Sequence, residues 1–151
     1  MRQGKARDEG CLNMTTITLG EGWLSWPGRE RTTNRYGKIG LLADLQAYDW
    51  QPLAIPEDHI GKACELHALV IEVNSNPYCV GDWRRNFAPS IPSMGEVFKL
   101  GEGTLYTNPD LMLIGLMPIE NDRLIDWLDP KVLYNLVDQK VRLTINLMGD
   151  I

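Results

Sequence analysis

The sequence has little of what builds a disulfide framework, a membrane span or a secreted protein. Its three cysteines, Cys11, Cys64 and Cys79, cannot all pair with one another, and their spacing fits no zinc knuckle, so we expect reduced thiols. The longest apolar run, 111–117, is too short to cross a bilayer. Residues 1–10 are charged and no apolar stretch follows them, which argues against a secretory leader. These absences predict a cytoplasmic protein with no membrane association.

Catalytic and cofactor signatures are also missing. No Gly-x-Ser-x-Gly motif and no familiar cysteine-nucleophile context occurs, and any histidine-assisted nucleophile would have to use His59 or His67. The two Gly-Glu-Gly segments, 20–22 and 101–103, lack the Gly-Lys-Ser/Thr ending of a phosphate-binding loop. Each also places an acid where an anion would bind. We therefore predict no cofactor, and a non-enzymatic protein is favoured while catalysis stays open.

One group of potential metal ligands lies close together in the sequence. His59, Cys64 and His67 are accompanied by Asp58 and Glu65, and a zinc site needs three or four such side chains to converge on one point. The spacing brings them together only if the backbone folds back between them. We instead predict no metal. Cys64 and Cys79 are expected to be small core residues, and His67 is expected near a sheet margin with a backbone carbonyl as partner.

The charge of the chain is unevenly distributed. The net charge of −5 argues against strong, sequence-independent binding to nucleic acid. Between Gly28 and Lys38 four basic residues accompany a single acid, whereas 101–138 holds seven acids and two bases. Adaptors and subunits often carry such uneven surfaces, but so do proteins that are neither. A solvated surface is therefore the simpler interpretation.

Alternating apolar residues predict a protein built mainly of β-strands. The clearest segment is 140–147, in which every second residue from Val141 to Leu147 is apolar. The segment 66–73 is apolar on both faces, which indicates a central position in a sheet. The remaining predicted strands cover 15–19, 23–26, 36–42, 95–100, 104–107 and 111–117.

The tetrapeptide Leu-Gly-Glu-Gly occurs twice, at 19–22 and at 100–103, each time between two segments of alternating apolar residues. Glycine tolerates the positive φ of tight hairpins, so each copy predicts a β-turn that joins two strands. The similarity of 19–24 to 100–105 covers six positions, which are too few to establish an internal repeat. Two independent hairpins are the preferred interpretation.

Helix signals are confined to the C-terminal third of the chain. Asn121 or Asp122 can cap a short helix, and Asp129-Pro130 is a strong start for a second one. An aspartate in this position accepts backbone N–H groups, and proline at the first helical position loses no hydrogen bond. Helical spacing predicts that the second helix buries four apolar side chains: Val132, Leu133, Leu136 and Val137.

These elements predict an α+β, strand-dominated fold for a single domain over 14–151. We expect a small antiparallel β-barrel or curved sheet, with two short C-terminal helices before the last strand. Residues 1–13 have no apolar periodicity and are predicted to form a disordered tail.

The segment 74–93 combines three prolines with three aromatic residues and has no regular period. Long irregular loops in compact domains are often functional. Tryptophan and arginine are enriched at interaction hot spots because they combine contact area with directional hydrogen bonds. The predicted contact residues are Tyr78, Trp83, Arg84, Arg85, Asn86 and Phe87, joined by Arg31 and Arg35 of the basic segment.

Several functions are compatible with these residues. The favoured one is a non-catalytic binding or accessory domain, a subunit or adaptor that contacts a protein partner. An alternative is an enzyme or sensor that binds a nucleotide or another phosphorylated ligand through 78–87, where Trp83 stacks on a base while Arg84 and Arg85 hold the phosphate. The same chemistry is compatible with a nucleic acid as partner. A third is a small structural protein of a virus or mobile element, suggested only by the lack of a familiar motif. The simplest alternative is that Trp83 and Phe87 only fix the loop to the core.

Overall fold

The structure is a computed structural model that describes residues 15–26, 38–47, 49–77, 90–108, 110–117 and 130–147. The predicted N-terminal tail lies outside the described residues. Seven β-strands and one α-helix make up the regular structure of the described part. In chain order they are β1 (Thr15–Ser25), β2 (Ile39–Asp44), β3 (Asp49–Trp50), β4 (Ala63–Glu72), β5 (Val97–Thr107), β6 (Leu113–Met117), α1 (Pro130–Leu136) and β7 (Lys140–Leu147).

The strands form one antiparallel sheet that closes on itself. Their order is β1-β7-β4-β5-β6-β2-β3, and β1 also pairs with β2. The closing seam is short: Leu24 pairs with Leu41 between β1 and β2, and Ile39 pairs with Ile114 between β2 and β6. Six strands therefore surround one core, and of the described strands only the two-residue β3 lies at an edge.

The alternation of apolar residues explains how this sheet acquires its core. Along β4 and β7 every second side chain points inward, and Leu66, Ala68, Leu143 and Ile145 are completely buried. Burial of such side chains is the main favourable term in folding. The predicted last strand, 140–147, is confirmed as β7, and the predicted central strand, 66–73, overlaps β4, which lies between β7 and β5.

The two Leu-Gly-Glu-Gly segments lie inside strands, so the prediction of two hairpin turns is wrong. The first lies in the middle of β1 and the second in the middle of β5. At each leucine the ladder to the neighbouring strand shifts by one residue, which is the pattern of a β-bulge. Leu19 and Leu100 point into the core, whereas Glu21 and Glu102 are exposed. The glycines mark bulges in continuous strands, where a residue without a side chain is easily accommodated.

The predicted fold class is wrong in its helical part. The described residues contain a single α-helix, α1, which has only seven residues. The segment 121–128, where the first helix was predicted, lies outside the described residues. A helix this short is not stable by itself and depends on packing, here through Leu133 and Leu136 against the core. The described residues form a strand-dominated antiparallel sheet with one short helix, so the predicted α+β class with two C-terminal helices is not what they show.

The two ends of the closed sheet differ. At one end, which we call the loop end, β1 and β4 finish and β2, β5 and β7 begin. The opposite end is covered by the segment 51–55, whose Leu53 and Ile55 are buried. Leu53 N–H donates to the carbonyl of Leu111 (2.7 Å), which fixes this segment across the sheet. No α-helix in the described part of the chain is long and apolar enough to cross a membrane.

Candidate interaction surface

The connection from β4 to β5 leaves the sheet at a buried anchor. Gln139 is fully buried, and its amide forms two hydrogen bonds with the backbone of Asn74. Asn74 N–H donates to Gln139 Oε1 (2.6 Å), and Gln139 Nε2 donates to the Asn74 carbonyl (2.8 Å). The backbone of Asp138 and Gln139 is in turn bonded to Leu24, near the end of β1. The connections that follow β1 and β4 therefore start from neighbouring points at the loop end.

The same connection enters β5 through a tight turn that is fixed to the sheet. Glu96 N–H donates to the carbonyl of Ser93 (3.1 Å), and Ser93 N–H donates to Glu96 Oε1 (2.9 Å). Gly95 has φ +90°, and a positive φ at the third position is the mark of a type II turn. Gly95 N–H also donates to the carbonyl of Val70 in β4 (2.8 Å). Met94 stands at the corner of this turn and is 71% exposed.

Exposed apolar side chains gather around this connection. The described part of the chain has five large exposed apolar side chains, and four of them flank it: Val73 (37%), Ile91 (45%), Met94 (71%) and Val97 (61%). Val97 pairs with Leu69 on the outer face of the sheet. Single exposed apolar residues are common on protein surfaces, but these four all lie in or next to one connection. We call these four residues the apolar cluster.

Beside the apolar cluster, the outer face of β4 and β5 is polar and internally paired. His67 Nε2 lies 3.0 Å from Glu65 Oε1, Lys99 Nζ lies 3.7 Å from Glu65 Oε2, and Lys99 also forms an ion pair with Glu102. The hydrogen bond with His67 is the main cause that lowers the pKa of Glu65, and that with Glu102 is the main cause that raises the pKa of Lys99. Two of these contacts lie within one strand, and Lys99–Glu65 links β4 to β5, as cross-strand pairs on a solvated face do.

The side chains that could have formed a metal site are kept apart by the sheet. Cys64 points into the core, whereas Glu65 and His67 lie on the outer face, and His59 belongs to a 3₁₀ turn at the opposite end. No group of three or more His, Cys, Asp or Glu side chains among the described residues could hold a metal ion. The expected margin position of His67 is wrong, because β4 has strands on both sides and His67 Nε2 faces a carboxylate.

The buried thiol of Cys64 confirms the prediction of a core residue and has a measurable consequence at alkaline pH. Its pKa is raised from 9.0 to about 11, chiefly by burial and partly by the Glu65 carboxylate. The native thiol then stays protonated where the unfolded one ionises. The buried, protonated thiol therefore contributes fully to the free energy of unfolding below pH 9. This contribution is lost as the pH rises through about 11, and the loss is about 3 kcal/mol at most.

We therefore expect the free energy of unfolding of the wild type to fall more steeply above pH 9 than that of Cys64→Ala. Urea denaturation of both proteins between pH 7 and pH 11 measures the difference. Peptide mapping after treatment with iodoacetamide should show Cys64 alkylated only in the unfolded chain. Parallel pH profiles together with rapid alkylation of the native protein would contradict a buried thiol.

The contact residues predicted from the sequence, Tyr78, Trp83, Arg84, Arg85, Asn86, Phe87, Arg31 and Arg35, lie outside the described residues, as does Cys79. Their two connections are bounded by described residues at the loop end. The apolar cluster could not be predicted from the sequence, because a period of two does not show which face of a short strand packs against the core and which faces water. The one signal for it was Met94-Gly95, an apolar residue at a turn.

No protein-family model, no curated protein and no solved structure matches this chain.

Proposed function

We propose that this protein is a non-catalytic binding domain, a subunit or adaptor of a larger assembly, that contacts a protein partner through its loop end. The observation that carries the proposal is the apolar cluster, which is held in water beside the anchored β4–β5 connection. Covering such side chains is favourable, and apolar anchors that a partner can enclose dominate the energy of many interfaces.

Fixed attachments support a surface that is organised before the partner arrives. At the start of the connection Gln139 holds Asn74. Further along the same connection, before it enters β5, Ser90 N–H donates to Oδ1 of Asn135 on α1 (2.8 Å). Residues that are already ordered lose less conformational entropy on binding, so more of the contact energy appears as affinity.

The partner that we propose has an apolar patch with an acidic rim. The β1–β2 connection carries Arg29, Arg31 and Arg35 with one acid, and the β4–β5 connection carries Arg84 and Arg85. Both connections begin and end at described residues of the loop end. Basic residues in these two connections favour a partner of opposite charge, because complementary charge speeds association and suppresses wrong partners.

The free thiol of Cys64 fits a reducing compartment such as the cytoplasm, which is the location that we propose. Cytosolic proteins keep their cysteines reduced, and Cys64 is buried among core side chains.

The proposal is tested by a charge in the apolar cluster and a matched charge elsewhere. Val97→Glu places a carboxylate at an exposed position of β5 within the apolar cluster. Thr16→Glu places one at an exposed position of β1, and both positions lie three residues before the leucine of a β-bulge. Both proteins should fold, because neither side chain is buried. We expect Val97→Glu to reduce recovery of the partner at least about tenfold, a loss near 1.4 kcal/mol, and Thr16→Glu to leave it unchanged.

Thermal unfolding of both variants serves as the folding control, and Met94→Glu repeats the test at the corner of the turn. Equal recovery of the partner by the wild type, Val97→Glu and Met94→Glu would contradict the proposal. Light scattering of the purified wild type separates one alternative, since self-assembly through the same cluster would favour a structural protein over an adaptor.

A further inference from the structure

The two strands that carry Leu-Gly-Glu-Gly occupy matching places in the sheet. β1 and β5 have eleven residues each, and β1 pairs with β7 as β5 pairs with β4. Both ladders skip the leucine: the shift falls between Thr18 and Gly20 in β1, and between Lys99 and Gly101 in β5. When the two leucines are aligned, each of the seven residue pairs between β5 and β4 has a counterpart between β1 and β7.

The next strands continue the match. β2 follows β1 and β6 follows β5, and they carry the same three residues, Ile-Gly-Leu, at 39–41 and 114–116. The two glycines of these segments pair with counterpart positions, Ser25 in β1 and Tyr106 in β5. The two groups of strands therefore match in strand order, in register and in the position of the bulge, in addition to their short sequence motifs.

Two residue pairs place an approximate twofold axis in the sheet. Ile39 pairs with Ile114 on the closing seam, and these two residues are counterparts in β2 and β6. On the other side of the sheet His67 pairs with Thr144, and these are counterparts in β4 and β7. A residue can pair with its own counterpart only where a twofold axis passes between the two strands.

We propose that the chain is an internally duplicated and circularly permuted domain, and that residues 27–37 are an insertion which folding does not require. One copy is β4-β5-β6, and the other is β7 together with β1-β2.

The connections that the twofold axis relates are of unequal length. β1 and β2 are joined by 27–37, whereas their counterparts β5 and β6 are joined by the shorter segment 108–112. The counterpart of the β4–β5 connection would join Leu147 to Thr15, which are paired neighbours. The third related pair of connections, 45–62 and 118–139, is long at both ends of the sheet. The difference in length between 27–37 and 108–112 is therefore specific to that pair.

The shorter connection shows how little chain these strands need. Asn108 Oδ1 accepts hydrogen bonds from Met112 N–H and Leu113 N–H (both 3.0 Å). Leu111 N–H donates to the carbonyl of Asn108 (3.0 Å), so the turn is bonded within itself. By the twofold relation the same turn should join β1 to β2. The basic residues Arg29, Arg31 and Arg35 would then belong to an addition that folding does not require.

The test is to replace 27–37 with the sequence of its counterpart, Asn-Pro-Asp-Leu-Met. We expect the grafted protein to unfold cooperatively, with a Tm within about 5 °C of the wild type. Asn108→Ala removes the acceptor of the native turn, and the same asparagine-to-alanine change in the graft should lower the Tm by a similar amount. A graft that is unfolded, or one that is indifferent to this change, would overturn the equivalence of the two connections.

A circular permutant keeps the duplication testable if the graft alone fails. It joins Leu147 to Thr15 through a short Gly-Ser linker, which recreates the β4–β5 arrangement in the other copy, and opens the chain within 78–89. A folded permutant with an unfolded graft would overturn only the claim that 27–37 is an addition, and an unfolded permutant would overturn the duplication.

Discussion

Gly40→Ala is expected to lower the free energy of unfolding by about 3 kcal/mol, one of the two largest effects that we predict. A Cβ at this position would lie 2.5 Å from the carbonyl oxygen of Met112 and 2.9 Å from the ring of Trp50. The carbonyl belongs to the backbone that enters β6, and it can withdraw only if the β2–β6 seam opens. That seam consists of two residue pairs, so little else holds it closed. Urea denaturation of the variant and the wild type measures the loss.

The counterpart glycine supplies the control. A Cβ at Gly115 would lie 2.6 Å from the ring of Tyr106, so the obstacle is a side chain and not backbone. Tyr106→Ala should therefore restore much of the stability lost in Gly115→Ala, whereas Trp50→Ala should not rescue Gly40→Ala. A loss below about 1 kcal/mol in Gly40→Ala, or its rescue by Trp50→Ala, would contradict the close approach at the seam.

Gln139→Ala is expected to cost about 3 kcal/mol, because it removes a fully buried side chain and leaves two part-buried backbone groups of Asn74 without their partners. The variant removes both the acceptor of Asn74 N–H and the donor to its carbonyl. An unsatisfied buried polar group costs about 1–3 kcal/mol, more than the net value of the hydrogen bond itself. We also expect amide hydrogen exchange at Asn74 to accelerate, since the start of the β4–β5 connection is then released.

Asn135→Ala is the matched comparison for this anchor. It removes one hydrogen bond at the other end of the same connection, from Ser90 N–H, and that bond is exposed to water. The loss should be about 1 kcal/mol or less, since water can replace the acceptor. Equal losses in Asn135→Ala and Gln139→Ala would show that burial does not govern the anchor. Chemical denaturation of both variants decides between the two results.

Local periodicity predicted much of the fold, and it failed where tertiary pairing decides the outcome. The last strand was predicted correctly, because alternation over 140–147 follows directly from one buried face. The two Leu-Gly-Glu-Gly segments were interpreted as turns, because glycine serves turns and bulges equally well. Only the register of a partner strand shows that the chain continues straight through Leu19 and Leu100.

The internal twofold relation had a second signal in the sequence, the repeated Ile-Gly-Leu at 39–41 and 114–116. Leu-Gly-Glu-Gly and Ile-Gly-Leu are separated by different numbers of residues in the two copies, because the connections between the strands differ in length. A search for a fixed period therefore does not find the repeat.

The candidate surface was less predictable than the fold. Residue types pointed to the arginines and aromatics of 78–87, which lie outside the described residues. The apolar cluster depends on exposure, and exposure is a property of the folded sheet. Val97 and Phe98 are adjacent apolar residues of β5. Phe98 packs against the core, whereas Val97 is 61% exposed. Gln139 likewise carries no motif, and its role follows only from its contact with Asn74.

The most direct measurement of the central claim is site-specific photo-crosslinking in living cells. A photoreactive amino acid is placed at Val97 in the apolar cluster and, in a second protein, at Thr16, the counterpart position of Val97 under the twofold relation. The two sites share a strand position and the outer face, so they differ mainly in the end of the sheet to which they belong. We predict that Val97 gives one dominant crosslinked protein and that Thr16 does not. Crosslinking to the same protein in equal yield from both positions, or from neither, would contradict a contact surface at the loop end.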